Sequence, residues 1–227
     1  MQDENYKKAL TTYLEGFVSE RRRSRLHEVL AERTRHMTVV LEDVYQAHNA
    51  SAVLRSCDCF GIQDVHFIEN HNKYKISEDV AMGSTQWLSI QKYNKQENNT
   101  LDCLQQLRKK GYRIVATTPH HNAKDLATLD VSTPLAVVFG TELTGISQDV
   151  LNTADEYVKI PMYGFTESFN ISVSAALCMH ELSEKIRKQV SPYTLSQAEK
   201  DDIYIDWLKA SIRKSDLVIK EFHNQNP

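Results

Sequence analysis

Short apolar runs rich in β-branched residues alternate along the chain with longer stretches of helical periodicity. In the stretch 171–186, apolar residues recur every three or four positions, which indicates a helix with one buried face. Residues 48–60 and 101–110 each end at a glycine, a common helix stop. The predicted strands are 37–44, 64–68, 112–118, 134–139 and 157–161. This alternation predicts an α/β protein, with a mostly parallel sheet and helices on both faces.

Helices are also predicted at both ends of the chain. The stretch 11–35 carries one concentrated basic surface, formed by Arg21, Arg22, Arg23, Arg25, Arg33 and Arg35. The stretch 196–222 has apolar residues, among them Trp207 and Leu208, that can be buried against the body or a partner subunit. We therefore expect an arginine-rich N-terminal extension over 1–36, a central domain over 37–190, and a C-terminal helical extension over 191–227.

Composition and charge exclude several classes of protein. The 227 residues are 41% hydrophobic and 25% charged, as in an ordinary globular protein, and the net charge of -3 excludes a wholesale polycation. No apolar run is long enough to span a membrane, and the N-terminus lacks a secretory pattern, so a cytoplasmic location is expected. The four cysteines therefore predict reduced thiols, and their spacing predicts no metal site.

Polar clusters follow three of the predicted strands, where α/β proteins commonly build their sites. The first comprises His48, Asn49 and Arg55, which could hold a phosphate at the start of a helix. Its structural alternative is an asparagine cap with a surface arginine. The second cluster is the turn from Gly140 to Gly145, where Glu142 replaces the middle glycine of a dinucleotide fingerprint. That turn argues against a nicotinamide dehydrogenase, and Glu142 serves either a ligand or the turn itself.

The third cluster is a polar loop that runs from Ile160 to a predicted helix entry at Ser168-Phe169-Asn170. Ser168 or Asn170 could simply cap that helix. The same loop is also long enough to wrap a ligand, and it offers hydrogen-bond donors and acceptors side by side. Both interpretations stay open on the residues alone.

The three clusters, in this order, resemble the three motifs of the SpoU/TrmH branch of the SPOUT class of RNA ribose 2′-O-methyltransferases. The matching patterns are Asn49-x5-Arg55, Gly140-x-Glu142-x-x-Gly145, and Ile160-Pro161 leading to Ser168-x-Asn170-x-Ser172-x-Ser174. The resemblance spans about residues 21–190. Within the branch, the chain is most similar to the enzymes that methylate guanosine 18 in the D-loop of tRNA.

The resemblance implies a deep C-terminal trefoil knot, S-adenosylmethionine as cofactor, no metal, and a homodimer with the site near the interface. The cofactor-binding residues that it implies are Thr117, Gly140, Leu143, Ile160 and Phe169. The catalytic residues that it implies are Asn49, Arg55, Glu142, Ser168 and Asn170, with Arg55 central. Because a guanidinium is effectively always protonated, we expect Arg55 to grip a phosphate and polarise the hydroxyl.

For capture of tRNA, the resemblance implies Arg22, Arg25 and Arg33 in the N-terminal helix, with His48 as a further RNA contact. Basic residues that neutralise phosphates supply affinity but no sequence choice. The substrate therefore has alternatives: the ribose of a tRNA wobble nucleotide, or ribosomal RNA. A further alternative is an RNA-binding member of the fold that has lost turnover.

Overall fold

Parallel β-strands form the centre of the computed structural model, which describes residues 2–73, 77–119, 122–141 and 143–225. The strands in these ranges are β1 Met37–Glu42, β2 Asp64–Ile68, β3 Ser89–Tyr93, β4 Arg113–Thr117, β5 Lys124–Asp125, β6 Leu135–Phe139 and β7 Glu156–Lys159. They form one sheet in the order β3-β2-β1-β6-β4-β7-β5. Every pairing is parallel, so the predicted α/β class is confirmed.

Strands β1 and β6 lie side by side in the middle of the sheet, with Val39 opposite Val137. Every residue of both strands is buried. This is expected of parallel strands that are covered on both faces, and it explains why their sequences are continuous apolar runs. The five predicted strands are all inner strands of the sheet. The two that the sequence did not predict, β3 and β5, are its two edges.

The helices that cover the sheet are α3 Ala47–Phe60, α4 Glu78–Ala81, α5 Asn99–Lys109, α6 Gln148–Thr153 and α7 Ile171–Gln189. Short 3₁₀ helices occur at Ser84–Trp87 and Leu126–Thr128. Helices α3 and α7 pack against one face of the sheet, the face on which Val39 and Val137 lie. Helix α5 packs against the other face, on which the next residues of the two strands, Val40 and Val138, lie. This alternation along each strand confirms helices on both faces.

The chain divides into two compact units, and the sheet with its helices is the unit of residues 34–193. The other unit combines residues 1–33 with residues 194–227. Its helices are α1 Gln2–Glu15, α2 Glu20–Ala31, α8 Gln197–Ser211 and α9 Ser215–Gln225. Helix α8 starts with a capping box between Ser196 and Glu199, and it buries Trp207 and Leu208. The sequence predicted two separate extensions at the ends of the chain, and the helices of both ends pack together in this unit.

None of the described helices is long and apolar enough to cross a membrane. The four thiols are free: Cys57, Cys103 and Cys178 are buried, and Cys59 is exposed. Burial raises the pKa of the Cys178 thiol to about 12, which keeps it protonated and unreactive at neutral pH.

A buried carboxylate at the end of β1 joins three parts of the sheet unit. Glu42 is 2% exposed. It accepts hydrogen bonds from the hydroxyl of Thr100 at 2.6 Å, from the hydroxyl of Ser147 at 2.7 Å and from the backbone N–H of Ser147 at 2.9 Å. Ser147 is also the N-cap of α6, and Thr100 lies in the first turn of α5. Glu42 therefore ties β1 to the starts of both helices.

Replacing Glu42 with alanine leaves these buried donors without an acceptor. We expect Glu42→Ala to lower the free energy of unfolding by roughly 3 kcal/mol, measured by urea denaturation. The control is Glu28→Ala, which removes an exposed carboxylate whose ion-pair partner is Arg25 at 3.2 Å. An exposed pair contributes less than about 1 kcal/mol, so equal losses in the two variants would contradict the role of Glu42.

Candidate active site

A cavity of about 610 Å³ opens at the carboxyl ends of β4, β6 and β7. This is the edge of a parallel sheet at which α/β proteins bind ligands, and the volume is in the range of small-molecule sites. The loops that follow these strands supply most of its walls. The residues that line it include all five that the resemblance implies for the cofactor: Thr117, Gly140, Leu143, Ile160 and Phe169.

One wall of the cavity is the tight turn after β6. The backbone N–H of Thr141 donates to the carbonyl of Gly145 at 2.8 Å, and the N–H of Gly145 donates back to the carbonyl of Thr141 at 3.1 Å. Gly145 has a φ of 70°, which favours glycine. A Cβ on Gly140 would lie 2.1 Å from the carbonyl oxygen of Gly145. Both glycines are therefore required for the turn to close. Glu142 lies outside the described residues.

Asn170 both caps α7 and faces the cavity. Its side-chain oxygen accepts from the backbone N–H of Ser172 at 2.8 Å, which is an N-cap bond. Its amide nitrogen donates to the side-chain oxygen of Asn49 at 3.2 Å. Asn49 in turn donates to the side-chain oxygen of Gln46 at 3.1 Å. The two alternatives for Asn170, cap and site residue, are thus compatible. Ser168 also lines the cavity, beside this chain of amides.

The first cluster separates into an inward and an outward part. Asn49 is buried within α3, and the N-cap of that helix is Gln46, so Asn49 is no cap. Arg55 follows six residues later, which is about 240° around a helix of 3.6 residues per turn. It is exposed and does not line the cavity of its own chain. Its guanidinium has no hydrogen bond or ion pair to any residue that the structure describes. His48 is exposed in the first turn of α3.

The arginines assigned to RNA differ in exposure. Arg22 and Arg25 are exposed on α2. Arg33 is fully buried, and its guanidinium lies 5.1 Å from the centre of the Trp207 ring. This geometry is a cation–π contact within the terminal unit. Its burial argues against the RNA contact that the sequence suggested for Arg33. Arg35, in the sheet unit, pairs with Asp64 at 3.0 Å.

A second cavity of about 830 Å³ lies beside the first, and sequence reasoning missed it. The two cavities share Gln46 and the turn residues Thr141, Leu143, Thr144 and Gly145. The remaining wall comes from the end of β1, from the segments that follow β2 and β3, and from Ser147 and Asp149 at the start of α6. A signal was present in the polar residues between those strands and the next helix, such as Asn70 and Asn98, but they match no motif. Among the described residues, no group of three or more metal-ligating side chains is found.

Comparison with known proteins places this geometry in a family. The model of the SpoU rRNA methylase family matches residues 36–180, which include almost the whole sheet unit. The chain belongs to the SpoU methylase family. A relative from Borreliella burgdorferi, named tRNA (guanosine(18)-2'-O)-methyltransferase, is 40% identical over 205 residues. That match covers 90% of this chain and 92% of the relative.

Solved structures of SpoU methylases have the same fold. The Aquifex aeolicus TrmH/SpoU tRNA modifying enzyme has a TM-score of 0.76 and 31% identity, over 86% of this chain and 98% of that one. The AdoMet-bound rRNA methyltransferase from Sinorhizobium meliloti has a TM-score of 0.60 and 22% identity, over 73% of this chain and 61% of that one. At that identity, the second likeness shows the fold alone.

Substitution of Gly140 tests whether the turn after β6 is closed in this SpoU methylase. In Gly140→Ala, the added Cβ must push against the backbone of Gly145, so the bonds between Thr141 and Gly145 open more often. A strain of about 1–3 kcal/mol corresponds to roughly 5-fold to 150-fold faster hydrogen exchange at these two amides. The matched control is Gly164→Ala, whose Cβ would have nothing within 4 Å. Unchanged exchange in Gly140→Ala would show that the turn is not closed.

Proposed function

We propose that the protein transfers a methyl group from S-adenosylmethionine to the ribose 2′-hydroxyl of guanosine 18 in the D-loop of tRNA. The observation that carries this proposal is the 40% identity to a tRNA (guanosine(18)-2'-O)-methyltransferase along 90% of this chain. The terminal helices support the tRNA assignment, since the solved tRNA modifying enzyme also matches 86% of the chain. A match to the catalytic core alone would not indicate which class of RNA is the substrate.

The residues of the 610 Å³ cavity fit S-adenosylmethionine. Ile160, Val158 and Leu151 offer an apolar surface for an adenine ring, and Thr117 and Ser168 add hydroxyls for polar groups. The turn from Gly140 to Gly145 brings backbone N–H and carbonyl groups to the same wall. An AdoMet-bound structure of the same fold supports the assignment. When bound, the cofactor supplies an electrophilic methyl group on its sulfonium sulfur.

The side chains around the cavity have positioning and electrostatic roles in the proposed reaction. Methyl transfer to a hydroxyl is a displacement that requires the two substrates to be aligned, and the protein must ease removal of the hydroxyl proton. The amides of Asn49 and Asn170 hold each other in one orientation, so they present fixed groups to the bound molecules. Ser168, which lines the cavity, and Glu142 are further catalytic residues in this proposal. Arg55 binds the RNA phosphate and polarises the hydroxyl, because guanidinium stays protonated.

The homodimer is part of the proposal, and an exposed apolar stripe supports it. Val173 and Leu177 lie four residues apart on α7, and Phe169 precedes the N-cap Asn170; their exposed fractions are 44%, 40% and 42%. Residues four apart lie on one face of a helix, and such a continuous apolar face is typical of an interface. Phe169 also lines the cavity, so this interface borders the active site. In this proposal, Arg55, which does not line the cavity of its own chain, acts at the cavity of the partner subunit.

The trefoil knot, the cytoplasmic location and the role of the N-terminal extension are further parts of the proposal. Membership of the SpoU methylase family supports the knot. The exposed arginines of α2, together with His48, support an electrostatic contact with tRNA phosphates. Arg33 has no part in that contact, because its side chain is buried.

The substrate is tested with unmodified tRNA transcripts and radiolabelled S-adenosylmethionine, followed by mapping of the labelled nucleotide. We expect label on the ribose of guanosine 18 and none on a transcript that carries 2′-deoxyguanosine at that position. Label on the wobble nucleotide or only on ribosomal RNA would keep the chemistry and contradict the substrate. Absence of transfer to any RNA, with the cofactor bound, would support the non-catalytic alternative.

In the same assay, Arg55→Ala is expected to lower kcat by about 100-fold or more, since it removes charge stabilisation at the reacting groups. Binding of S-adenosylmethionine, measured by calorimetry, is expected to stay the same, because Arg55 does not line that cavity. The control is Lys109→Ala, which removes an exposed charge on α5. An unchanged kcat in Arg55→Ala would overturn its role.

For tRNA capture, the double variant Arg22→Ala with Arg25→Ala removes two exposed cations from α2. We expect weaker tRNA binding and a salt dependence whose log–log slope is reduced by about 2, one for each lost phosphate contact. The control replaces Lys109 and Lys188, two exposed lysines of the sheet unit, with alanine. Equal slopes for the α2 variant and the unmodified protein would exclude the arginines from the RNA contact.

A further inference from the structure

The 830 Å³ cavity shares a wall with the cavity that we assign to the cofactor. If the cofactor occupies the first cavity, the ribose of the substrate must approach an opening of that cavity. The second cavity shares Gln46 and the turn 141–145 with the first, apart from the residue outside the described ranges. A ribose at this shared wall would have its base in the second cavity. The volume is sufficient for a nucleobase, since small-molecule pockets range from about 300 to 1,000 Å³.

Asp149 presents a fixed carboxylate to this second cavity. It lies half-buried in the first turn of α6. The side-chain oxygen of Asn98 accepts from the backbone N–H of Leu101 at 3.0 Å, so its amide nitrogen is the group that faces Asp149. That nitrogen donates to Oδ2 of Asp149 at 2.6 Å. Asn98 therefore orients the carboxylate, and Oδ1 has no partner among the described residues.

A second carboxylate forms the deep wall of the same cavity. Asp43 is 6% exposed, and it lines the cavity at the end of β1. Its Oδ1 accepts from the backbone N–H groups of Asn70, His71 and Asn72 at 2.8, 2.8 and 3.1 Å. Its Oδ2 has no hydrogen-bond partner among the residues that the structure describes. The wall of the cavity thus contains a second carboxylate, which three backbone N–H groups hold in place.

The hydrogen-bonding edges of the four bases differ in how well they match such a wall. An ionised carboxylate only accepts hydrogen bonds. On its Watson–Crick edge, guanine carries two adjacent donors, the N1–H and the N2 amino group. Adenine and cytosine each pair one donor group with an acceptor, and the single donor of uracil lies between two acceptors. Bases in RNA loops are commonly recognised on this edge. A wall of oriented carboxylates therefore selects guanine.

We propose that the second cavity binds the base of the target guanosine and that Asp149 determines specificity by accepting its N1–H and N2–H. This inference rests on the proposed function and names the residue that selects guanine at the same site. Asn98 is a positioning residue, because it acts through the orientation of Asp149. Asp43 closes the cavity behind the base.

The test compares tRNA transcripts with guanosine or inosine at position 18, since inosine lacks only the N2 amino group. We expect the unmodified protein to prefer guanosine by about 10-fold to 100-fold in kcat/KM, as for loss of a hydrogen bond to a charged group. In Asp149→Asn, we expect the preference for guanosine over inosine to fall to about 3-fold or less, because kcat/KM for the guanosine transcript decreases. Asn98→Ala keeps the Asp149 carboxylate but removes the hydrogen bond that orients it. We expect its preference for guanosine to lie between those of the unmodified protein and Asp149→Asn.

The matched control is Asp102→Asn, which neutralises an acid in the first turn of α5 that lines neither cavity. Its preference for guanosine is expected to equal that of the unmodified protein. Folding of each variant is checked by its affinity for S-adenosylmethionine, because neither Asp149 nor Asn98 lines the first cavity.

The outcomes separate this inference from the proposed function. If the unmodified protein does not methylate guanosine 18, the proposed function fails and the inference fails with it. If it does, but methylates inosine 18 equally well, the function stands and the guanine site is overturned. An unchanged preference in Asp149→Asn, with normal cofactor affinity, overturns the role of Asp149 in the same way.

Discussion

The hydrogen bonds of the buried Glu42 carboxylate hold together the loops at the carboxyl ends of the strands, where the site lies. A carboxylate without solvent needs donors, and here Thr100 of α5 and the α6 cap Ser147 supply them. The segments after β3 and β6 are thereby held at the end of β1. Because the turn after β6 lies between β6 and Ser147, it is held at both ends, and it forms the wall shared by the two cavities. The arrangement of the site follows from satisfying one buried charge.

The chain of amides from Gln46 to Asn170 shows how a structural bond can also prepare a site. Capping α7 commits the oxygen of Asn170, so its nitrogen must donate, and Asn49 must accept. The orientation of each amide then follows from the one before it. A helix cap, which the sequence suggested as the alternative to a functional role, is what makes Asn170 a fixed donor in the cavity. The two interpretations describe different atoms of one side chain.

The arginines near the N-terminus look alike in the sequence but differ in the structure. Arg22 and Arg25 lie on the exposed face of α2, whereas Arg33 is buried over the Trp207 ring. Trp207 is distant in sequence, in α8, so local periodicity could not reveal this partner. A concentrated basic segment therefore overstates the charge that is available to RNA.

The sequence by itself determined the five inner strands, their parallel class and the helices on both faces. Continuous apolar runs such as those of β1 and β6 are required wherever a strand is covered on both sides. It could not determine the edge strands β3 and β5, because a half-exposed or two-residue strand has no such pattern. The resemblance also indicated five residues that line the first cavity, of which Gly140 and Ile160 directly follow inner strands.

Only the tertiary structure decided which way each motif residue faces and what lies beside the first cavity. Asn49 and Arg55 belong to one motif, yet α3 directs the first inward and the second outward. The second cavity draws its walls from segments after β1, β2, β3 and β6, including Asp43, Asn98 and Asp149. These segments are far apart in the sequence. They meet because the strand order of the parallel sheet brings the carboxyl ends of their strands to the same edge, and that order is a property of packing rather than of any local pattern.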